Sequence, residues 1–199
     1  MDLQLSVFLL FILFTAGHSL SCYECVGLTG SCAEQTVKTC PFGSSQCQSV
    51  TAVAQAGDII SKVKAKDCAV DCQSGSMNLG ISKVSSSCCN TDRCNVQDAP
   101  DPSNIPNGKQ CFSCDDKSCS NTVSCSGTED RCIKATGTFG GQTLVVKGCV
   151  SKSICDATTS VSNVQGISCC EGNLCNGSQS VTQSVLILCG SLLSYFLMH

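Results

Sequence analysis

Cysteine is the residue in this sequence whose abundance and spacing could do chemistry. Two Cys-x-x-Cys pairs, Cys22 with Cys25 and Cys111 with Cys114, have the spacing of zinc sites and of redox-active dithiols. Zinc would need four reduced ligands, and a redox pair would need a βαβ context. The 21 cysteines among 199 residues instead reach the density of a disulfide scaffold, which belongs to an oxidising compartment. We therefore expect structural disulfides and no metal or other cofactor.

Catalytic groups other than cysteine are scarce. The only histidines, His18 and His199, lie at the two ends of the sequence, so the commonest general base is missing between them. Adjacent carboxylates occur twice, as Asp115-Asp116 and Glu129-Asp130. Neighbours on a strand or turn point apart, and we interpret both pairs as solvated loop charge. The sequence predicts no catalytic residue, and the net charge of −3 gives no electrostatic basis for nucleic-acid binding.

A block of two adjacent cysteines, four residues, a cysteine and an asparagine occurs twice, as residues 88–95 and 169–176. Adjacent cysteines on a strand point to opposite faces, so they cannot easily pair with each other. The second of each pair most economically closes a tight loop, Cys89 to Cys94 or Cys170 to Cys175, while the first must reach upstream. Similar cysteine spacing ahead of each block predicts two duplicated domains.

The beginning of the sequence is typical of a secretory leader. Residues 7–14 form an apolar run, and small residues ending at Ser19 follow it. We expect a signal peptide over residues 1–19, although its first residues carry no Lys or Arg.

The end of the sequence is typical of a glycolipid-anchor signal. Small residues, Asn176-Gly177-Ser178, precede a polar spacer over residues 179–184 and a mostly apolar stretch over residues 185–198. That stretch is shorter than the roughly 20 residues of a spanning helix, and the order of segments fits lipid attachment at Asn176, Gly177 or Ser178 with removal of the remainder of residues 177–199. Removal would also take Cys189 and leave an even number of cysteines.

Between these ends, the sequence predicts domain one over residues 20–95, an exposed proline-containing linker over residues 96–108 and domain two over residues 109–176. β-Branched runs flank glycine turns in both domains and predict hairpins, at residues 48–55 with 59–66 and at residues 133–139 with 142–147. A third finger should lead to each double cysteine. No segment has a helical period.

Two features could contact a ligand. Lys62, Lys64 and Lys66 alternate on one predicted strand and so share a face. They either form a basic ladder for an anionic partner or, the reading we favour, keep an edge strand from pairing with other chains. Phe139 lies beside Gly140-Gly141, and it either projects from a fingertip as an interface anchor or packs beneath its hairpin.

These motifs resemble a known family. Leu20-Ser21-Cys22-Tyr23-Glu24-Cys25, ten cysteines per domain and the closing Cys-Cys-(x)4-Cys-Asn are similar to the lymphocyte-antigen-six and urokinase-receptor domains, which share the three-finger fold of snake toxins. Arg131-Cys132-Ile133-Lys134 in the second copy resembles urokinase-receptor domains in particular. The resemblance implies an all-β, disulfide-rich chain of two tandem three-finger domains.

Spacing alone leaves hundreds of cysteine pairings per domain, and the resemblance implies one. In domain one the implied pairs are Cys22–Cys47, Cys25–Cys32, Cys40–Cys68, Cys72–Cys88 and Cys89–Cys94. In domain two they are Cys111–Cys132, Cys114–Cys119, Cys125–Cys149, Cys155–Cys169 and Cys170–Cys175. Asn95 and Asn176 fall at the family's terminal asparagine, which resembles a structural pin to neighbouring backbone. Asn176 also heads the only glycosylation sequon, a role that competes with the pin and the anchor.

The function expected from these observations is binding rather than catalysis. The chain would be tethered to the outer leaflet of the cell membrane and would recognise an extracellular protein through its finger loops, with glycosylation a further possible modification. The alternative is a secreted inhibitor that captures a secreted enzyme such as a phospholipase, similar to two-domain phospholipase inhibitors.

Overall fold

The structure, a computed structural model, describes residues 19–56, 59–115, 118–139, 142–160 and 166–177. The described residues divide into two compact units. Unit 1 contains the described residues up to Gly75 together with Val84–Pro102, and unit 2 contains Ser76–Lys83 together with the described residues from Ser103 onward. No helix among the described residues is long and apolar enough to cross a membrane.

Unit 1 is built on a long antiparallel hairpin. Its strands are β1 (Ser21–Gly27), β2 (Thr36–Thr39), β3 (Gln46–Ala56), β4 (Ile59–Ala69) and β6 (Ser82–Cys89), whose first two residues belong to unit 2. Their order is β6-β3-β4-β1-β2, and β3 pairs with β4 from Cys47↔Cys68 to Ala56↔Ile59. The predicted hairpin is therefore present. Because β4 lies between β3 and β1, it is not an edge strand.

Unit 2 repeats the hairpin with different surroundings. Its strands are β5 (Gly75–Asn78, from Ser76 on), β7 (Pro106–Ser113), β8 (Asn121–Ser126), β9 (Arg131–Phe139), β10 (Gln142–Val150) and β11 (Ile167–Cys170). One sheet has the order β11-β9-β10-β5, and β7 pairs with β8. Strands β9 and β10 form the second predicted hairpin, with Cys132 opposite Cys149.

Unit 2 also contains an α-helix, α1 (Lys152–Ser160), so the prediction that no segment is helical was wrong. The first helical hydrogen bond runs from the Cys155 N–H to the Ser151 carbonyl. Cys155 is buried in a cluster with Ile133 and Val150, and Ile154 packs against that cluster. A bond from Cys155 to Cys169 fixes the helix. Tertiary burial rather than periodicity stabilises this short helix.

The segment Ser76–Lys83 packs within unit 2, although chain order places it in the first repeat. Asn78 pairs with Cys149, and Met77 pairs with Val150. Met77 and Leu79 pack against the buried cluster of Ile133, Val150 and Cys155. A sequence divided at a linker does not anticipate this arrangement.

Sulfur forms the centre of each unit. Cys22, Cys40 and Cys47 form the buried cluster of unit 1. The corresponding cluster of unit 2 consists of Cys111, Cys125, Cys132 and Cys149. The structure contains the ten disulfides implied by the family resemblance. Because modules of this size bury little apolar surface, disulfides supply much of the stability that a hydrophobic core gives a larger domain.

One predicted solvated carboxylate is buried instead. Glu129 is only 1 % exposed, which corrects the interpretation of Glu129-Asp130 as loop charge. Its carboxylate accepts a hydrogen bond of 2.8 Å from the Ser126 N–H, so the burial is partly compensated. Burial raises the pKa of Glu129 above its usual value, and bonds from Ser126 and Ser76 oppose this effect.

The raised pKa of Glu129 predicts how the stability of unit 2 depends on pH. The contribution of Glu129 is fully present below its ordinary pKa of 4.5 and is lost as the pH rises through the raised value, because the folded state holds the proton more tightly. Glu129→Gln cannot ionise. We therefore expect the wild type to lose stability relative to Glu129→Gln as the pH rises from 4.5 through the raised pKa, measured by thermal unfolding with circular dichroism. Exposed Glu34→Gln is the control, and equal pH profiles for wild type and Glu129→Gln would contradict the prediction.

Candidate functional site

The double cysteine of unit 1 closes around Asn95. Cys88 reaches back to Cys72, and Cys89 bonds to Cys94. Asn95, which follows directly, is buried, and its side-chain oxygen accepts a hydrogen bond of 2.8 Å from the Tyr23 N–H. Its amide nitrogen donates to the carbonyls of Tyr23 and Gln48, at 2.9 and 3.1 Å. One side chain thus connects the end of the repeat to β1 and to the β3–β4 hairpin, which we call the middle finger of this unit, as the β9–β10 hairpin is of unit 2.

Asn176 makes the same set of bonds in unit 2. Its oxygen accepts from the Phe112 N–H at 2.8 Å, and its nitrogen donates to the carbonyls of Phe112 and Ile133 at 2.9 and 2.8 Å. A glycan would be attached to this same nitrogen, which is buried and already engaged. Glycosylation of the Asn176 sequon would therefore require the pin to open.

The buried sulfurs do not offer a metal site. The sulfurs of Cys22, Cys40 and Cys68 lie within 4.8 Å of one another, as do those of Cys111, Cys125 and Cys149. Each is already bonded to another sulfur. Zinc is bound by thiolates, which a disulfide does not supply.

The lysine ladder on β4 is neutralised by the chain itself. Lys62 pairs with Asp101 at 2.6 Å, and Lys64 pairs with Asp98 at 2.7 Å. Lys66, whose side chain is only 2 % exposed, lies 3.0 Å from the other carboxylate oxygen of Asp98 and donates to the Val96 carbonyl at 2.6 Å. The three ammonium groups are therefore engaged, and the edge-strand interpretation is wrong because β4 is an interior strand.

The partner of the ladder is the segment Val96–Pro102, which we call the strap. Hydroxyl groups of the sheet donate to its backbone: Ser49 to Gln97 and Thr51 to Ala99, at 3.0 and 2.7 Å, and Ser85 to Pro100. Ala99 is 2 % exposed. The segment predicted as an exposed linker is thus attached to one face of the sheet through its carbonyls and its acids, although Val96, Gln97, Pro100 and Asp101 remain exposed.

The two carboxylates of the strap, Asp98 and Asp101, differ in how tightly they are paired. Asp98 is held by two ammonium groups, and the hydrogen bond from Lys64 contributes most to lowering its pKa below the ordinary value. Asp101 has a single partner, and both side chains of that pair are substantially exposed. Exposed pairs contribute little to stability, whereas a pair that includes a buried cation matters more.

The opposite face of the same sheet is apolar. Val26 is opposite Ala65, which is opposite Val50 in the next strand, and Ala52 is opposite Val63. Register partners and alternate residues share a face, so these five side chains form one surface, which we call the open face. Four are partly buried, and Val26 is 71 % exposed.

A charged group borders the open face. Lys38 on β2 contacts Glu24 at 2.7 Å and Asp67 at 2.9 Å. Glu24 lies two residues before Val26, and Asp67 lies two residues after Ala65, so both share the open face. The hydrogen bond that Lys38 donates to Glu24 contributes most to raising the pKa of Lys38. An apolar centre with a polar border is the usual anatomy of a protein interface.

Two exposed apolar residues in loops are further candidates for contact with a ligand. Leu28 follows β1 and is largely exposed, and Phe42 lies fully exposed between Pro41 and Gly43. Sequence reasoning missed Phe42, although its Pro-Phe-Gly context indicated a turn. Phe139 ends β9 opposite Gln142, and its side chain lies outside the described residues, as do Ser178 and the predicted leader.

Comparison with known proteins agrees with this architecture. Residues 18–97 match the u-PAR/Ly-6 domain, and residues 109–176 match the domain of snake toxin and toxin-like proteins. The chain is 30 % identical over 209 residues to the urokinase plasminogen activator surface receptor of Rattus norvegicus, covering 90 % of this chain and 62 % of the relative.

Two further relatives carry the same name. The receptor of Bos taurus is 34 % identical over 104 residues, covering 45 % of this chain and 31 % of the relative. The receptor of Mus musculus is 29 % identical over 189 residues, covering 82 % and 56 %. The chain thus spans less than two thirds of the length of each. The crystal structure of mouse TEX101 aligns with 76 % of this chain and 96 % of that chain at 17 % identity, with a TM-score of 0.31 that is too low to compare the folds.

The strap provides a direct test of this arrangement. Asp98→Asn leaves the buried ammonium of Lys66 without its carboxylate, so we expect the free energy of unfolding to fall by about 1–3 kcal/mol at neutral pH. Because the pKa of Asp98 is lowered, its contribution is present above its ordinary value of 3.8 and is lost as the pH falls through the lowered value. The difference between wild type and Asp98→Asn should therefore shrink in acid.

Asp101→Asn is the matched control for this measurement. It removes a strap carboxylate whose pair is exposed, so denaturant unfolding should change by less than about 0.5 kcal/mol. Equal effects of the two substitutions would show that the strap does not neutralise a buried cation.

Proposed function

The chain belongs to the u-PAR/Ly-6 family of three-finger proteins, and from this membership we propose that it is a cell-surface binding protein that recognises an extracellular protein. Binding would use the open face of unit 1 and the loops beside it. The observation that carries the proposal is the difference between the two faces of one sheet. The strap covers the lysine face, whereas the other face is apolar, partly exposed and bordered by charge.

The relatives support a receptor-like role for the chain. Three of them are named as a surface receptor for urokinase plasminogen activator, and this chain spans only part of each. We therefore propose the class of activity, recognition of an extracellular protein, and not that particular ligand. Between Ser19 and Met198 the sequence contains no histidine, which agrees with a function in binding rather than catalysis.

We further propose that a glycolipid holds the protein at the outer leaflet of the membrane. The support is compositional: small residues at Asn176-Gly177-Ser178, a polar spacer over residues 179–184 and an apolar stretch over residues 185–198. Attachment at any of the three small residues leaves the Asn176 side chain free to act as the pin, because the lipid is joined to the chain through a backbone carbonyl.

Enzymatic release tests the anchor. Cells that express the full chain should display it on their surface, and phosphatidylinositol-specific phospholipase C should move most of it into the medium, because the enzyme cuts the lipid from the protein. A chain that ends at Ser184 is the control, and it should be secreted without treatment. Full-length chain that accumulates in the medium untreated would favour a secreted inhibitor, and chain that resists the phospholipase would contradict the anchor.

Photo-crosslinking tests the binding face. A photoreactive amino acid in place of Val26 should crosslink to an extracellular protein, whereas the same group in place of Lys62, on the opposite face of the sheet and paired with the strap, should not. Val63→Glu puts a charge into the centre of the open face, and it should weaken the Val26 crosslink about tenfold or more.

Val37→Glu is the matched control for Val63→Glu. Val37 is exposed on β2 and, as the neighbour of Lys38, points to the face opposite the open face, so the added charge should leave both secretion and crosslinking unchanged. A crosslink that survives Val63→Glu, or that forms equally well from position 62, would show that the open face is not where the ligand binds.

A further inference from the structure

Unit 2 contains a buried lysine that has no acidic partner among the residues that the structure describes. Lys147 on β10 is 7 % exposed. Its ammonium donates to the Cys119 carbonyl at 3.3 Å and lies 5.7 Å from the centre of the Phe112 ring. Burial lowers the pKa of Lys147, and the charge of Lys134 adds to the effect. A buried ammonium with one long hydrogen bond and a ring contact is poorly compensated.

A second lysine increases the local positive charge. Lys134 on β9 is the register partner of Lys147, so the two side chains share one face of the hairpin. Within the part of the chain that the structure describes, neither ammonium forms an ion pair with a carboxylate. The eight described ion pairs involve other cations. Two unpaired cations on one face would attract an anion.

In the first repeat, the lysine that corresponds to Lys147 has an anionic partner. Lys66 lies two residues before Cys68, as Lys147 lies two residues before Cys149. The Lys66 ammonium donates to the Val96 carbonyl and pairs with the Asp98 carboxylate; these residues follow Asn95 by one and three positions. The chain beyond the asparagine pin therefore supplies the anion in unit 1.

The second repeat directs its chain to the same place. Asn176 makes the bonds of Asn95, and Gly177 follows it. A Cβ on Gly177 would meet the Phe112 ring at 3.3 Å, the ring over which the Lys147 ammonium lies. Gly177 also lines a cavity of about 410 Å³ with Lys134 and Asn176. The chain thus leaves the pin beside Lys134 and beside the ring that Lys147 contacts.

No side chain of residues 177–199 is acidic. Position 179 is glutamine where the first repeat has Asp98, and residues 177–199 contain no Asp or Glu. An anion at this site must therefore come from a group that is not one of these side chains.

We propose that Lys134 and Lys147 bind the phosphate that links the glycolipid to this protein. The proposal rests on the anchor proposed above. In anchor attachment, the peptide bond after the attachment residue is exchanged for an amide bond to the amine of ethanolamine phosphate, and the tail leaves with a free amino group. The phosphodiester then carries one negative charge. Attachment within residues 176–178 puts the phosphate within the first few positions after the Asn176 pin. In unit 1, the corresponding positions after Asn95 are occupied by Val96 and Asp98, which contact Lys66.

Amine labelling tests this inference on protein taken from cells. Protein released by phosphatidylinositol-specific phospholipase C retains the ethanolamine phosphate, whereas the secreted chain that ends at Ser184 lacks it. Both are treated with an amine-acylating reagent, and labelling of each lysine is followed by mass spectrometry. We expect Lys134 and Lys147 to be labelled at least about threefold more slowly in the released form, because a nearby anion raises the pKa of an amine. Exposed Lys152 serves as the internal reference.

A variant and a free anion sharpen the test. Lys134→Gln should reduce the slowing at Lys147, while Lys152→Gln should leave it unchanged. Inorganic phosphate added to the Ser184 form distinguishes a general phosphate site from contact with the anchor. If phosphate slows labelling there but the released form shows no slowing, the site binds free phosphate and the proposal is overturned.

The remaining outcomes separate the two proposals. Equal labelling rates in the released and Ser184 forms overturn the phosphate contact and leave the anchor standing. Failure of the phospholipase to release the protein overturns the anchor, and the phosphate contact falls with it.

Discussion

Covalent cross-linking through sulfur is the constraint on which this protein depends. In unit 1 the buried centre is formed by Cys22, Cys40 and Cys47, and in unit 2 by four cysteines. Modules this small bury too little apolar surface to offset the entropy of their long hairpins. Disulfides restrict the unfolded chain, so the fingers can keep open surfaces that an ordinary core would have to cover.

The asparagine pins complete this framework where disulfides cannot. Each double cysteine brings the end of its repeat back to the sheet, and the adjacent amide then bonds the first strand and the middle finger together. In unit 1 the chain continues from the pin onto the lysine-bearing face of β4, and in unit 2 Gly177, which follows the pin, lines a cavity with Lys134. In unit 1 the strap neutralises that face with its own acids, which leaves the apolar open face as the surface available to a partner. In unit 2 the sequence after the pin, residues 177–199, contains no Asp or Glu, and a modification is the source of negative charge that we infer there.

The sequence reveals the fold through features that are local or repeated. The duplicated Cys-Cys-(x)4-Cys-Asn block and the glycine-flanked β-branched runs predict two disulfide-rich domains with central hairpins, and the family resemblance supplies the pairing. What the sequence does not reveal depends on complementarity between distant residues. The alternation of Lys62, Lys64 and Lys66 specifies a shared face but not what covers it. In the sequence Glu129 has the context of an ordinary turn residue, and its burial depends on hydrogen bonds from Ser126 and Ser76. The helix α1 is too short to be identified from a helical period.

Disulfide mapping of the native protein tests the central claim most directly. Non-reducing digestion at acidic pH, followed by fragmentation mass spectrometry, resolves the adjacent cysteines Cys88-Cys89 and Cys169-Cys170 into separate bonds. We expect Cys88 on Cys72 and Cys89 on Cys94, with Cys169 on Cys155 and Cys170 on Cys175, and no free thiol in either repeat. Exchange of partners within a double cysteine, or a free thiol at Cys22, Cys47, Cys111 or Cys132, would contradict the account, because the pins and both faces of the middle finger are held by these bonds.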